Sequence, residues 1–526
     1  MATAIQHGSS ARPAPAAPSL RALVGVMAVL LGTFTSIVNA RLTDIGLADI
    51  RGALGIGVDE ASWIVTAYVV AEVAAIPAAI WLRGILSPGR GVLLGSLLFT
   101  LFSLAAPLSR SLETLLALQT LRGLSAGILI PMAYAVIMRH LPQHLRLYGL
   151  SLYALISAFT PSVAVAIEAW VLDHFSWQYL FWLNVVPGAL TLLAGAYGLS
   201  RAPIKYMRFR RPDGFSLLAL SLGLAALVAA LDQGNRLDWF ASGLIAGLAA
   251  SAVLLLGGAL VHALLHHDPL VDPRLLWRRN TGLGLFAMFL TRIAVMSSAL
   301  VLPQYFARVQ GYRALESGSV FLVTALPQLL LMPLVATLCY RVDPRRLLIL
   351  GAMLQGLGLL MMAGLTSQWH AGEVLLPLFL QSSAAPFLAI PIMVLITEDI
   401  SLREIPWIAS LVHIMRTVGS AVGVAAVGTF IRVQEQTQSN LLGQHVTAGS
   451  QETGQRIELL TQMLAGRLTD AEAATKAATA LIARTVQREA FVLAYRDALL
   501  LLALMMFAAI LVALCFRKTT LPGKLL

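Results

Sequence analysis

Charge and sulfur are both scarce in this chain. Only 12% of its 526 residues are Asp, Glu, Lys or Arg, 58% are hydrophobic, and the mean hydropathy is +0.80, which sets it apart from ordinary soluble domains. The two cysteines, Cys339 and Cys515, lie in apolar runs, so neither a disulfide framework nor a thiolate metal site is indicated. No G-x-x-x-x-G-K-[ST] loop occurs, which argues against ATP as an energy source within the chain. Without H-E-x-x-H, a paired C-x-x-C or a soluble segment able to hold a catalytic pocket, the sequence reads as a non-enzyme that needs no metal or cofactor.

What fills the sequence instead is apolar runs. The hydrocarbon core of a bilayer is about 30 Å thick, so a helix needs about 20 apolar residues to cross it. Fourteen such stretches occur, at 21–40, 62–82, 91–108, 112–138, 148–172, 179–199, 215–231, 240–265, 282–302, 319–340, 347–365, 374–397, 407–431 and 491–516. The expected fold is an all-α integral membrane protein. A channel is conceivable, but many kinked helices carrying isolated buried charges are more typical of transporters.

The net charge of +11 would suggest nucleic acid in a soluble protein; here charge placement accounts for it and no nucleic-acid partner is expected. With the N-terminus inside, most of the 37 Lys and Arg residues fall in cytoplasmic segments, so the positive-inside rule puts both termini in the cytoplasm. Arg201, Lys205, Arg208, Arg210 and Arg211 form the densest cluster, an orientation anchor or a lipid-binding site. Residues 1–20, rich in Ala, Pro and Ser, read as a disordered cytoplasmic tail. Residues 432–490 are polar and would lie outside. There Ile457, Leu460, Leu464 and Leu468 recur at helical spacing and Thr469–Glu472 reads as a capping box, so a helical hairpin is expected, as a connector or a docking surface.

Three segments carry a family resemblance. WQYLFWLNVVPG (177–188), LPQYFARVQGYRALESG (302–318) and SLVHIMRTVGSAVGVA (410–425) resemble the fourteen-span drug:proton antiporter branch of the major facilitator superfamily, of EmrB/QacA type. The resemblance runs through nearly the whole chain. It implies two six-helix bundles, 21–200 and 281–526, with two inserted helices and basic cytoplasmic linkers at 201–280, and a midplane site exposed alternately to either side. It also implies a bacterial inner membrane, membrane lipid around the bundle, protons and a hydrophobic or amphiphilic small molecule as partners. By family analogy the outer hairpin would meet a periplasmic adaptor protein and an outer-membrane channel.

The departures from the family pattern define the candidate site. Where the branch carries an aspartate in its first span this chain has Asn39, followed by Arg41 and Asp44, which are three apart and able to pair. The family's R-x-x-Q-G becomes Gln119 to Gly123, with the arginine at Arg122, and the antiporter motif of span five keeps only Pro161. His413 replaces an asparagine. A lone charge at mid-bilayer costs about 2.5–3.5 kcal/mol on insertion scales and therefore has a partner or a task. That singles out Glu72, Arg122, Arg292 and Arg416, with Glu168 and Asp44 nearer the outer end. Glu72 is the first proton-coupling candidate, Asp44 and Glu168 the others. Asn39, Arg41, Gln119, Arg122, Arg292, His413 and Arg416 are cavity candidates; Pro161, Gly419 and Gly423 are bending or close-packing positions. An excess of buried arginine would suit an anionic amphiphile. The reading is thus a proton-driven exporter working by alternating access, against two alternatives: a dedicated metabolite exporter (siderophore, fatty acid or other anionic amphiphile) and a non-transporting receptor or assembly partner.

Overall fold

A computed structural model describes residues 19–199, 213–266, 269–312, 314–398, 400–401, 404–446, 450–465 and 471–518. Nearly all of the proposed tail, the basic cluster at 201–211, and Leu468, Thr469 and Asp470 lie outside the described residues, as do the side chains of Arg41 and Asp44. The rest is helical: α1 (Leu20–Ile45), α2 (Leu47–Leu54), α3 (Val58–Ile85), α4 (Pro88–Ala105), α5 (Leu112–His140), α6 (Gln143–His174), α7 (Gln178–Trp182), α8 (Val185–Gly198), α9 (Gly214–Gly234), α10 (Gly243–Leu265), α11 (Arg279–Tyr305), α12 (Ala314–Leu338), α13 (Pro344–Met362), α14 (Ala371–Thr397), α15 (Ile405–His445), α16 (Gln451–Ala465) and α17 (Ala471–Leu514).

Among the described residues 13 helices are long and apolar enough to cross a membrane, and 14 when α6, bent by 43° just after Pro161, counts as one span. A proline removes one ladder hydrogen bond and crowds the preceding turn, which accounts for the bend. The sixth span is broken as well, into α7 and α8. Asn184 Nδ2 donates to the carbonyls of Leu180 (3.1 Å) and Phe181 (3.3 Å), an alternative to the regular helical ladder at that turn. Helix starts carry side-chain caps where the chain enters the bundle: Ser87, Ser111 and Asp343 accept from backbone amides of α4, α5 and α13.

The hairpin region differs from a free-standing pair of helices. α15 runs on past its apolar part to His445, and α17 begins at Ala471, so both project beyond the apolar spans, with α16 laid on α17. Neither extension contains a proline, and the Ala-, Gln- and Glu-rich sequence has no reason to stop the helix. α16 buries none of its side chains.

Helices α1 and α3–α8 pack as one bundle and α11–α15 with α17 as a second, with α9 laid against α3 and α15 and α10 against α9. The bundles meet unevenly. Away from the hairpin they share one large apolar cluster, in which Val136, Ile137 and Tyr153 join Leu388, Ile392, Ile408, Leu411 and Val412. A second shared cluster sets Leu147 and Ala154 of α6 against Met332 and Val335 of α12. Toward the hairpin each bundle keeps its own: Val38, Ile64, Leu115 and Phe181 in the first, Val301, Tyr305, Tyr495 and Leu499 in the second. Even there the bundles touch: Val165 of α6 packs against the second bundle's cluster, and a Cβ on Gly318 of α12 would come within 3.3 Å of Ala166 Cα.

Candidate functional site: two buried polar clusters

The first cluster lies inside the first bundle, around Arg122. Its side chain is fully buried. Nη1 donates to Gln119 Oε1 (2.7 Å), Nε to Ser103 Oγ (3.1 Å) and Nη2 to Asn39 Oδ1, while the guanidinium lies over Phe181 (4.8 Å to the centroid) and Phe99 (5.4 Å). Asn39 Oδ1 also accepts from Asn184 Nδ2 at 3.2 Å. Arg122 thus draws together α1, α4, α5 and α7, and these hydrogen-bond acceptors are all neutral. Asn39, Gln119 and Arg122 are brought together as the sequence grouped them. Ser103, Asn184, Phe99 and Phe181 were not singled out, although Asn184 stands in the resemblance-bearing segment 177–188.

The second cluster spans the seam between the bundles. Glu72 on α3, 6% exposed, places Oε1 3.2 Å from Nε2 of His413 on α15, which is fully buried. The contact has ion-pair length and lies off the line of a straight hydrogen bond. One turn along, Arg416 Nη2 donates to His413 Nδ1 (2.9 Å) and Nη1 donates to Ser157 Oγ (2.7 Å) on α6. Ser420 links this group to Arg292: its Oγ donates to the Arg416 carbonyl (2.8 Å) and accepts from Arg292 Nη2 (3.3 Å).

Glycines hold the helices that carry these groups. A Cβ on Gly423 would meet the Ile293 carbonyl at 2.8 Å and on Gly419 the Phe289 carbonyl at 2.9 Å, so α15 lies directly on the backbone of α11. Gly123 and Gly127 of α5 are closer still to the carbonyls of Tyr68 and Glu72. That approach fixes the height of Glu72 against its own bundle.

Glu168 stands apart. It is fully buried and its Oε1 accepts from the Gly46 amide at 3.1 Å, where α1 turns into α2. Arg41 and Asp44 lie in the last turn of α1, with side chains outside the described residues.

A cavity of about 810 Å³ lies between α1, α6, α8 and α12. Its walls, among them Phe34, Ile167, Trp170 and Leu322, are almost wholly apolar. Thr35, Asn184 and Ser319 are the polar residues along it, and Asn184 is linked to Arg122 through Asn39.

Comparison with known proteins follows the same lines. Residues 29–424 match the family described as Major Facilitator Superfamily. The chain is 24% identical over 485 residues to the colistin resistance protein EmrB of Acinetobacter baumannii, covering 91% of this chain and 93% of that one. It is 23% identical over 417 residues to the fatty acid resistance protein FarB of Neisseria gonorrhoeae, covering 79% and 82%. Among solved structures, the human organic anion transporter MFSD10 superposes with a TM-score of 0.53 at 14% identity, covering 92% of this chain and 99% of that one, which shows a shared fold.

Proposed function

The chain belongs to the major facilitator superfamily, and from that premise we propose that it is a proton-driven exporter of hydrophobic or amphiphilic small molecules in a bacterial inner membrane. The observation that carries this reading is an acid on the seam: Glu72 of the first bundle is buried against His413 of the second, beside the apolar cluster that the two bundles share. An ionisable group inside a membrane bundle is costly to keep without a task, and one placed where the bundles separate is exposed to each side in turn. Both termini face the cytoplasm on this reading, because the basic segments cluster at that end. The hairpin then stands on the outside, where an adaptor protein would meet α15, α16 and α17.

Export of a dedicated anionic amphiphile is the second reading. The neutral acceptors around Arg122 leave its charge unmatched by a carboxylate in that hydrogen-bonded set, and the relative FarB carries the name of a fatty acid resistance protein. Purified protein reconstituted in vesicles with an internal pH dye tests both. Ethidium and anilinonaphthalene sulfonate serve as cationic and anionic probes, neither of which carries a proton itself. Proton flux driven by a probe in the wild type, lost in Glu72→Gln, is expected; flux with the sulfonate alone favours the second reading. Folded protein that moves no protons with either probe would overturn the proposal.

A further inference from the structure

We propose that the turn between the two inserted helices is a strap across the seam: residues 232–239 tie the hairpin end of α3 in the first bundle to that of α15 in the second and limit how far the two can part. The strap goes beyond the exporter reading and requires only the two bundles, not proton coupling.

One short stretch divides its bonds between the bundles. Residues 232, 233 and 236 turn to α3. Thr66 Oγ1 donates to Asp232 Oδ2 and accepts from Gln233 Nε2, Ser62 Oγ donates to Gln233 Oε1 at 3.3 Å, and Arg236 Nη1 donates to Asp59 Oδ1 at 2.9 Å. Residues 235, 238 and 239 turn to α15. Asn235 Nδ2 donates to the Ala425 carbonyl (2.9 Å) and Trp239 Nε1 to Thr429 Oγ1 (3.0 Å), while Thr429 Oγ1 donates to Asn235 Oδ1 (2.7 Å) and Arg432 Nη1 to Asp238 Oδ1 (2.7 Å). A pull between α3 and α15 at this height therefore runs through the backbone of the turn.

That backbone has an unusual shape. Asp238 and Trp239 follow one another at φ 54° and 53°, in the left-handed region that is uncommon for a residue with a Cβ and an outlier for one as bulky as tryptophan. Such a conformation persists only where its surroundings hold it. The holders here are the contacts to α15: the two strained residues are the ones whose side chains bond Arg432 and Thr429. The Trp239 ring is also seated on Gly234, where a Cβ would meet it at 2.7 Å. Once α15 moves away the turn loses what keeps its shape, so these bonds break as a group.

Deeper in the membrane α9 lies between the same two helices by apolar contact, with Leu224 and Val228 in one cluster with Val73 and Ile76 of α3 and Ile414 and Val418 of α15. Apolar contact is non-directional and tolerates sliding, whereas a hydrogen bond weakens steeply with distance and angle. Opening of the hairpin end can thus slide over the buried part of α9 but has to break the turn's bonds.

The test uses the full chain in lipid nanodiscs, with the exposed Cys515 replaced by serine and the buried Cys339 kept. Spin labels go on Leu108→Cys, 72% exposed just after α4, and on Gln368→Cys, exposed between α13 and α14, both clear of the strap. Pulsed electron paramagnetic resonance reports their separation. Every substitution is made on the helices that the strap holds: Thr66→Val with Asp59→Asn cuts it from α3, and Thr429→Val with Arg432→Gln cuts it from α15. Each cut removes at least two bonds of ordinary net strength, so the ratio of long to short distances should rise about tenfold in monodisperse protein. The two cuts combined should add nothing to either alone, because a strap severed at one end is already severed. Thr66→Val and Thr429→Val by themselves keep the shape of the side chain and should move the distances the same way by less. Unchanged distances, or a shift from one cut alone, would mean that the inserted pair rides with a single bundle and would overturn the strap. Additive shifts would overturn it as well, since they mark independent contacts. Probe-driven proton flux in a protein whose distances ignore the cuts would remove the strap and leave the exporter reading; the expected shifts in a protein without such flux would do the reverse.

Discussion

The contact of α15 with α11 and of α5 with α3 can be measured by adding one methyl group at a time. Gly→Ala in a helix carries a propensity gain of up to about 1 kcal/mol wherever it is made, so comparing alanines at several glycines cancels that gain and leaves packing. At Gly257 of α10 an added Cβ meets nothing within 4 Å. At Gly423 it meets the Ile293 carbonyl at 2.8 Å and the Ile293 Cα and Ser297 Oγ at 2.9 Å, and ordinary contact begins near 3.4 Å, so α15 and α11 would have to part by about 0.6 Å. Two of those three atoms are backbone, which has no rotamer to yield. Overpacking of this kind costs about 1–3 kcal/mol, so Gly423→Ala should fall below Gly257→Ala by that amount once the common propensity term is removed. Gly127→Ala, pressed against the Glu72 carbonyl more tightly, should fall further. Thermal unfolding in detergent, read by intrinsic fluorescence, gives the order. Equal midpoints for the three variants would refute the helix contacts as described, and with them the fixed height of Glu72.

Two other variants test charge placement. Asn39→Asp puts a carboxylate against Arg122, whose Nη2 already bonds Oδ1; replacing a neutral acceptor by a charged one should raise stability by about 1–3 kcal/mol, and a fall in the unfolding midpoint would show that Arg122 does not depend on position 39. Asp213, just ahead of α9 and outside the spans, accepts from the Ser216 amide and faces His262 Nε2, both at 3.1 Å. Burial pushes its carboxyl up, but the Ser216 bonds and His262 more than reverse this and hold it below the usual carboxylate range. Its stabilisation is therefore fully present above the unfolded value near 3.9 and fades as pH falls through the lower folded value. Asp213→Asn keeps the helix cap but should lower the midpoint at neutral pH and flatten its acid-side decline. An unchanged pH profile would refute the contact.

The apolar spans were legible because lipid leaves the backbone few options: a run of about 20 apolar residues has to become a helix. The buried charges were legible for the same reason, since each costs energy and stands out in an apolar run. Their partners were not. Ser103, Ser157 and Asn184 are small polar residues in long helices, with nothing in the local sequence to distinguish a ligand of arginine from a residue that bonds its own backbone, as Thr33 and Ser151 do. The pairing of Glu72 with His413 joins residues far apart in sequence, and only the meeting of α3 with α15 reveals it. The break at Asn184 and the merging of the hairpin into α15 and α17 escaped because helix ends depend on single hydrogen bonds and on the absence of a stop signal, both weak marks in a sequence.

The change from the family's aspartate to Asn39 acquires a physical meaning from these positions. Position 39 faces Arg122 within one bundle, and a carboxylate there would pair with a guanidinium that moves with it as a rigid body. Its protonation would alter the bundle's charge without touching the contact between bundles. Glu72 has the opposite placement. Its backbone is locked against Gly127 in the first bundle while its carboxylate reaches His413 in the second, so loss of its charge weakens an attraction between the two halves. On the exporter reading proposed above, an acid at Glu72 therefore lies on the seam between the bundles, where one at position 39 would lie inside the first bundle.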